Sequence, residues 1–129
     1  MDQAHVPPAE SEKRPTVLVV DDEPSIRDFL AFILEDEGFR VETASDGFEA
    51  LAVARRSAPD LVLTDLMMPV VDGYRLIAGL RREHVPAPVI VAMSAVPPQD
   101  QDQPHADTFL AKPFDVSSVI ETVQTLLKV

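Results

Sequence analysis

No cysteine occurs among the 129 residues. That excludes a disulfide framework, a thiolate metal site and a cysteine nucleophile, and it fits a reducing, cytoplasmic setting. Bases are scarce: 11 Lys and Arg stand against 22 Asp and Glu, for a net charge of −11. Nucleic-acid backbones are held by basic patches, so this balance opposes direct nucleic-acid binding and suits metal cations. The pairs Arg55–Arg56 and Arg81–Arg82 fall near the ends of expected helices, where the helix dipole favours positive charge, and read as solvated faces. No stretch approaches the ~20 apolar residues of a membrane helix. The opening "MDQAHVPPAESEKRP" lacks the apolar core of a secretory signal. Residues 1–14 read as a flexible tail before a single domain over 15–129. His5, His84 and His105 have no metal-ligand spacing and read as surface residues.

What is present is an alternation of strand and helix. "TVLVV" is a short apolar run closed by Asp21, Asp22 and Glu23, the mark of a strand covered on both faces. Pro24 then opens a helix with Ile26, Phe29, Leu30 and Ile33 at helical spacing, and Gly38 stops it. "FRVETA" is a second strand and "SDGFEALAVARRSA" a helix with Leu51 and Ala54 inward. "PDLVLTD" is a third strand, followed by "DGYRLIAGLRRE" with Leu76, Ile77 and Leu80 inward. "APVIVAMSA" and "TFLAKPF" are the fourth and fifth strands. The last helix carries an apolar stripe of Val116, Val119, Ile120, Val123, Leu126 and Leu127. Such an order implies an α/β fold, a parallel sheet with helices on both faces.

In sheets of this kind, sites form outside the carboxyl ends of the strands. Asp21, Asp22, Asp65, Ser94 and Lys112 all fall at or just past such ends, so they share one rim. Three carboxylates there repel one another unless compensated. A hard divalent cation, Mg²⁺ or Mn²⁺, provides compensation through oxygen ligands. A strand-end aspartate can itself be a nucleophile that forms an acyl phosphate, with the cation on one side and a lysine ammonium on the other neutralising charge. Ser94 can hydrogen-bond a phosphoryl oxygen. Each piece alone reads as a polar turn or a cap.

Four stretches, "VLVVDDEP", "LVLTDLMMPVVDG", "VIVAMSA" and "FLAKPF", make residues 15–129 resemble the receiver domain of two-component response regulators. The resemblance implies a flavodoxin-like, doubly wound five-stranded parallel sheet of order 2-1-3-4-5. It implies that Asp65 accepts a phosphoryl group from a histidine kinase or histidine phosphotransfer protein. Asp21, Asp22, Asp65 and the backbone carbonyl of Met67 then hold Mg²⁺. Ser94 matches the switch hydroxyl, Lys112 the ion-pairing lysine, and Phe109 the aromatic whose rotamer follows the switch; the bond before Pro113 is expected cis. Chemistry on Asp65 is limited to self-catalysed phosphotransfer and autodephosphorylation, and the output is a change of contacts with a downstream protein, from a monomer or weak dimer.

One stretch departs from the family. "AVPPQDQDQPHADT", between Ser94 and Phe109, holds Pro97, Pro98 and Pro104 and no apolar periodicity, so the fourth helix is expected to be shortened or replaced by a loop. Two alternatives stay open: a receiver-like interaction module that is never phosphorylated, or an N-terminal fragment of a larger regulator with an output domain. An aspartyl phosphatase is disfavoured because Met67 stands where a general acid is commonly found. A flavin or nucleotide binder would want a glycine-rich loop after the first strand, where Asp21, Asp22 and Glu23 stand instead.

Overall fold

A computed structural model describes residues 14–68, 71–84, 86–95 and 105–129. In chain order the elements are β1 (Thr16–Val20), α1 (Pro24–Asp36), β2 (Arg40–Ala44), α2 (Gly47–Ser57), β3 (Leu61–Asp65), α3 (Gly73–Glu83), β4 (Val89–Ser94), β5 (Thr108–Ala111) and α4 (Val116–Leu127). The strands form one sheet in the order β2-β1-β3-β4-β5, and every neighbouring pair is parallel.

Local chemistry accounts for the helix ends. Asp46, Asp72 and Asp115 each cap a helix by accepting the backbone N–H three residues on, from Glu49, Arg75 and Ser118. Glu49 closes a reciprocal cap, accepting from both Ser45 N and Ser45 Oγ. α1 starts on Pro24 with no side-chain cap. It ends where Gly38 takes a φ of +98°, a conformation that spares glycine the usual Cβ clash.

Side-chain alternation along the strands splits the interior into two layers. Leu18, Val20, Val62, Ile90 and Ala92 pack against α2 and α3, through Ala50, Val53, Leu76, Ile77 and Leu80. Val17, Val19, Leu61, Leu63, Val91 and Met93 pack against α1 and α4, through Leu30, Ile33, Leu34, Val119 and Val123. Covered on both faces, β1 and β3 are buried at every residue.

Several expectations need correction. Phe29 is 44 % exposed and Val116 40 % exposed, so both lie at the margin of their stripes. In α2 the buried positions are Gly47, Ala50, Val53 and Ala54, while Leu51 is half-buried. His84 is not a plain surface residue, because its Nε2 is buried and has no hydrogen-bond partner among the described residues. The expected loss of a helix concerns the stretch between Ser94 and Phe109, of which residues 96–104 lie outside the described residues; of the expected tail over residues 1–14, residues 1–13 lie outside them, as does His5. Among the described residues, no helix is long and apolar enough to cross a membrane.

Candidate functional site at the carboxyl edge of the sheet

Parallel pairing sets Val20 beside Thr64, Asp65 beside Met93, and Ser94 beside Ala111. The residues that follow β1, end β3 and β4, and follow β5 therefore meet along one edge. One carboxylate oxygen from each of Asp21, Asp22 and Asp65 lies within 4.8 Å of the others.

The three acids are held differently. Asp21 is fully buried. Its N–H donates to the Ala44 carbonyl at 3.2 Å, its Oδ1 accepts from Glu23 N at 3.0 Å and its Oδ2 from Lys112 Nζ at 3.2 Å. Asp65 is also buried; Oδ1 accepts from Met67 N at 3.2 Å and Oδ2 lies 3.4 Å from Lys112 Nζ. Asp22 is exposed. Burial pushes the Asp65 carboxyl above the ordinary carboxylate range, and the neighbouring Asp21 charge adds to this; the Met67 N–H and Lys112 oppose it without prevailing. Burial presses the Lys112 ammonium downward, but Asp21 and Asp65 together outweigh it and the net shift is upward. Both partners of the Lys112–Asp65 pair are therefore raised: the lysine gains two anions, while Asp65 gains one cation and loses water.

Ser94 is buried at the end of β4, and its carbonyl accepts the Lys112 N–H at 2.9 Å. The Lys112–Pro113 peptide bond is cis. Met67 projects from the loop after β3 and is 71 % exposed, so its side chain is free of the core. Phe109 lies on the flank: it pairs with Ala92 in the sheet, packs against the α2–α3 layer and helps line a cavity of about 250 Å³ with Tyr74, Ile77 and Ala106. The structure thus gathers Asp21, Asp22, Asp65 and Lys112 into direct proximity, with Ser94 at the adjoining strand end and Phe109 to one side.

Two contacts escaped the sequence reading. Gly73, the first residue of α3, sits against the main chain of Asp65 and Leu66. Arg27, in α1, donates from Nη1 to the Asp21 carbonyl at 2.9 Å. A faint signal existed for Arg27: a cation near a helix N-terminus runs against the dipole and needs another reason to be there.

The donor set is all oxygen, and three clustered carboxylates with one ammonium leave an uncompensated negative charge. That is the chemistry of a hard divalent cation site rather than of a soft metal site. A family model for the response regulator receiver domain matches residues 17–124. The DNA-binding dual master transcriptional regulator RpaA of Synechocystis is 39% identical over 119 residues, covering 88% of this chain and 49% of that protein. The chemotaxis response regulator CheY4 of Vibrio cholerae superposes with a TM-score of 0.81 at 32% identity, covering 88% of this chain and 99% of that one. The receiver domain of a sensor histidine kinase from Pseudomonas aeruginosa, solved with a magnesium ion coordinated in its active site cleft, has a TM-score of 0.81 at 28% identity, covering 90% of this chain and 99% of that one. This chain spans about half the length of the transcriptional regulators it matches. A family match that takes in both acid-bearing strand ends and the lysine after β5 leaves one assignment: the chain belongs to the response regulator receiver domains.

Proposed function

We propose that residues 15–129 form a phosphorylatable receiver in which Asp65 takes a phosphoryl group from the phosphohistidine of a histidine kinase or phosphotransfer protein in the cytoplasm. An Asp65 carboxylate oxygen forms the new O–P bond as the donor's N–P bond breaks, and the departing imidazole leaves with the electron pair. The observation that carries this reading is the position of Lys112 Nζ, 3.2 Å from Asp21 and 3.4 Å from Asp65. An ammonium at that place can move from the Asp65 carboxylate to an oxygen of the transferred group without crossing the site.

Mg²⁺ or Mn²⁺, held by Asp21, Asp22, Asp65 and the Met67 carbonyl, would supply positive charge to the phosphoryl oxygens. The Met67 N–H, bound to Asp65 Oδ1, fixes the carboxylate's rotation. The Ser94 hydroxyl is the group that turns toward the phosphoryl oxygen, and Phe109 follows it, altering the β4–β5 face that a downstream protein reads. Turnover is confined to the protein's own side chain: phosphotransfer onto Asp65 and its hydrolysis. The net charge of −11 supports output through protein contacts rather than through nucleic acid.

The test is intact mass after incubation with Mg²⁺ and a small-molecule phosphodonor. One added phosphoryl group is expected, absent with chelator and absent in Asp65→Asn. Failure to label folded protein from both the small donor and a kinase donor would leave a receiver-like module that is not phosphorylated.

A further inference from the structure

We propose that Arg27 is a positioning residue of the divalent cation site, holding the turn that aims the Asp22 carboxylate. The inference rests on the cation site described above.

Asp22 is the acid with least support. Asp21 and Asp65 are buried, and each accepts a backbone N–H and faces Lys112. The Asp22 side chain is exposed and accepts no hydrogen bond from the described residues. Its direction therefore depends on the main chain of the Asp21–Asp22 turn. The peptide unit that joins the two residues carries the Asp21 carbonyl, and this oxygen accepts from Arg27 Nη1 at 2.9 Å. Rotation of that peptide unit would swing Asp22 and break a hydrogen bond strengthened by the charge of its donor.

Arg27 is itself well placed to hold. Its own N–H donates to the Glu23 carbonyl at 3.0 Å inside α1. Its charge also reaches the cap of α2, where Glu49 lies below the ordinary carboxylate range, first through the hydrogen bonds from Ser45 and further through the charge of Arg27. One guanidinium thus ties the β1–α1 turn to α1.

Arg27 acts on a bound cation in two opposed ways. Its positive charge repels the cation, whereas its grip on the turn presents Asp22. The charge effect is softened by solvent and salt. Groups that orient metal ligands change affinity by about 10- to 100-fold, so the grip prevails. Removing Arg27 should weaken cation binding, although simple electrostatics calls for the reverse.

The experiment is a calorimetric titration of the full chain with Mg²⁺ alone, without phosphodonor, comparing the parent with Arg27→Met, Arg27→Lys and Asp22→Asn. Amide exchange of Asp22 and Glu23 is measured alongside in chelator. Expected are binding by the parent, loss in Asp22→Asn, at least about a tenfold weakening in Arg27→Met with faster exchange at both amides, and partial recovery in Arg27→Lys. Unchanged or tighter binding by Arg27→Met, with the parent binding normally, overturns the inference and leaves the cation site intact. If Arg27→Met fails to fold, Arg27→Lys decides: its ammonium makes fewer, less directed bonds, so affinity equal to the parent's overturns the proposal. A parent chain that binds no Mg²⁺ removes both the site and the inference.

Discussion

Gly73 rests directly on Asp65: a β-carbon at residue 73 would stand 2.5 Å from the Asp65 carbonyl oxygen and 2.6 Å from Leu66 Cα. Both are main-chain atoms, so no flexible side chain can give way. The Gly73 N–H also donates to the Leu66 carbonyl at 3.0 Å, tying the start of α3 to the end of β3. Gly73→Ala should therefore destabilise the fold by about 1–3 kcal/mol through overpacking and slow phosphorylation by shifting Asp65. Urea denaturation, read beside the labelling rate, checks this; parent-like values of both would show that the contact relaxes freely.

Asp65→Asn should stabilise the metal-free protein near neutral pH. The Asp65 carboxyl is raised in the folded state, chiefly by burial, so the fold binds that proton more tightly than the unfolded chain does. The cost of the charged form is absent in acid and grows as pH rises from the ordinary carboxylate range through the raised folded value. Asparagine removes that cost, worth about 1 kcal/mol, the usual scale for relieving a strained functional site. Thermal melts in chelator should show the gain near pH 7 and its loss in acid.

Lys112→Met should have the opposite sign. Asp21 is fully buried, and among the described residues Lys112 is the one cation paired with its carboxylate. Breaking a buried pair costs about 3–5 kcal/mol; Lys112 keeps some solvent contact, so about 2 kcal/mol is expected at neutral pH without metal. The Asp65 carboxyl would rise further, so the deficit should shrink as pH falls. A deficit that does not vary with pH would mean that the loss is one of packing.

Divalent cation should raise stability by mass action, by about 2.7 kcal/mol at a free concentration 100 times the dissociation constant. Because protons compete for the same carboxylates, the gain should fade as pH drops through the raised Asp65 range. Melting curves with Mg²⁺ and with chelator, repeated for Asp22→Asn, test it; an equal gain in the variant would place the cation elsewhere.

Much of this was legible along the chain. The helices that follow Asp46, Asp72 and Asp115 were legible from apolar spacing, and the structure adds the caps by which these three residues start them. The runs around Leu18, Leu63 and Val91 read as buried strands because they lack a polar face, and each is buried. Asp65 and Lys112 stood out because each breaks an apolar run at its carboxyl end. Phe29 and Val116 were placed wrongly for a matching reason: helical spacing shows which residues share a face, but not how far the neighbouring layer extends over it.

Residue types and their order therefore specified the alternation of elements, both layers of apolar side chains and the acids at the strand ends, since these depend on local periodicity and on polar residues interrupting it. Parallel register then had to bring residues 21, 65 and 112 together before their carboxylates and ammonium came into contact. The reach of Arg27 to the Asp21 carbonyl, the contact of Gly73 with Asp65, the upward shift of the Asp65 carboxyl and the buried Nε2 of His84 all arise there. Each is a matter of distance and of excluded water, and both are set by which elements pack together rather than by which residues adjoin in the chain.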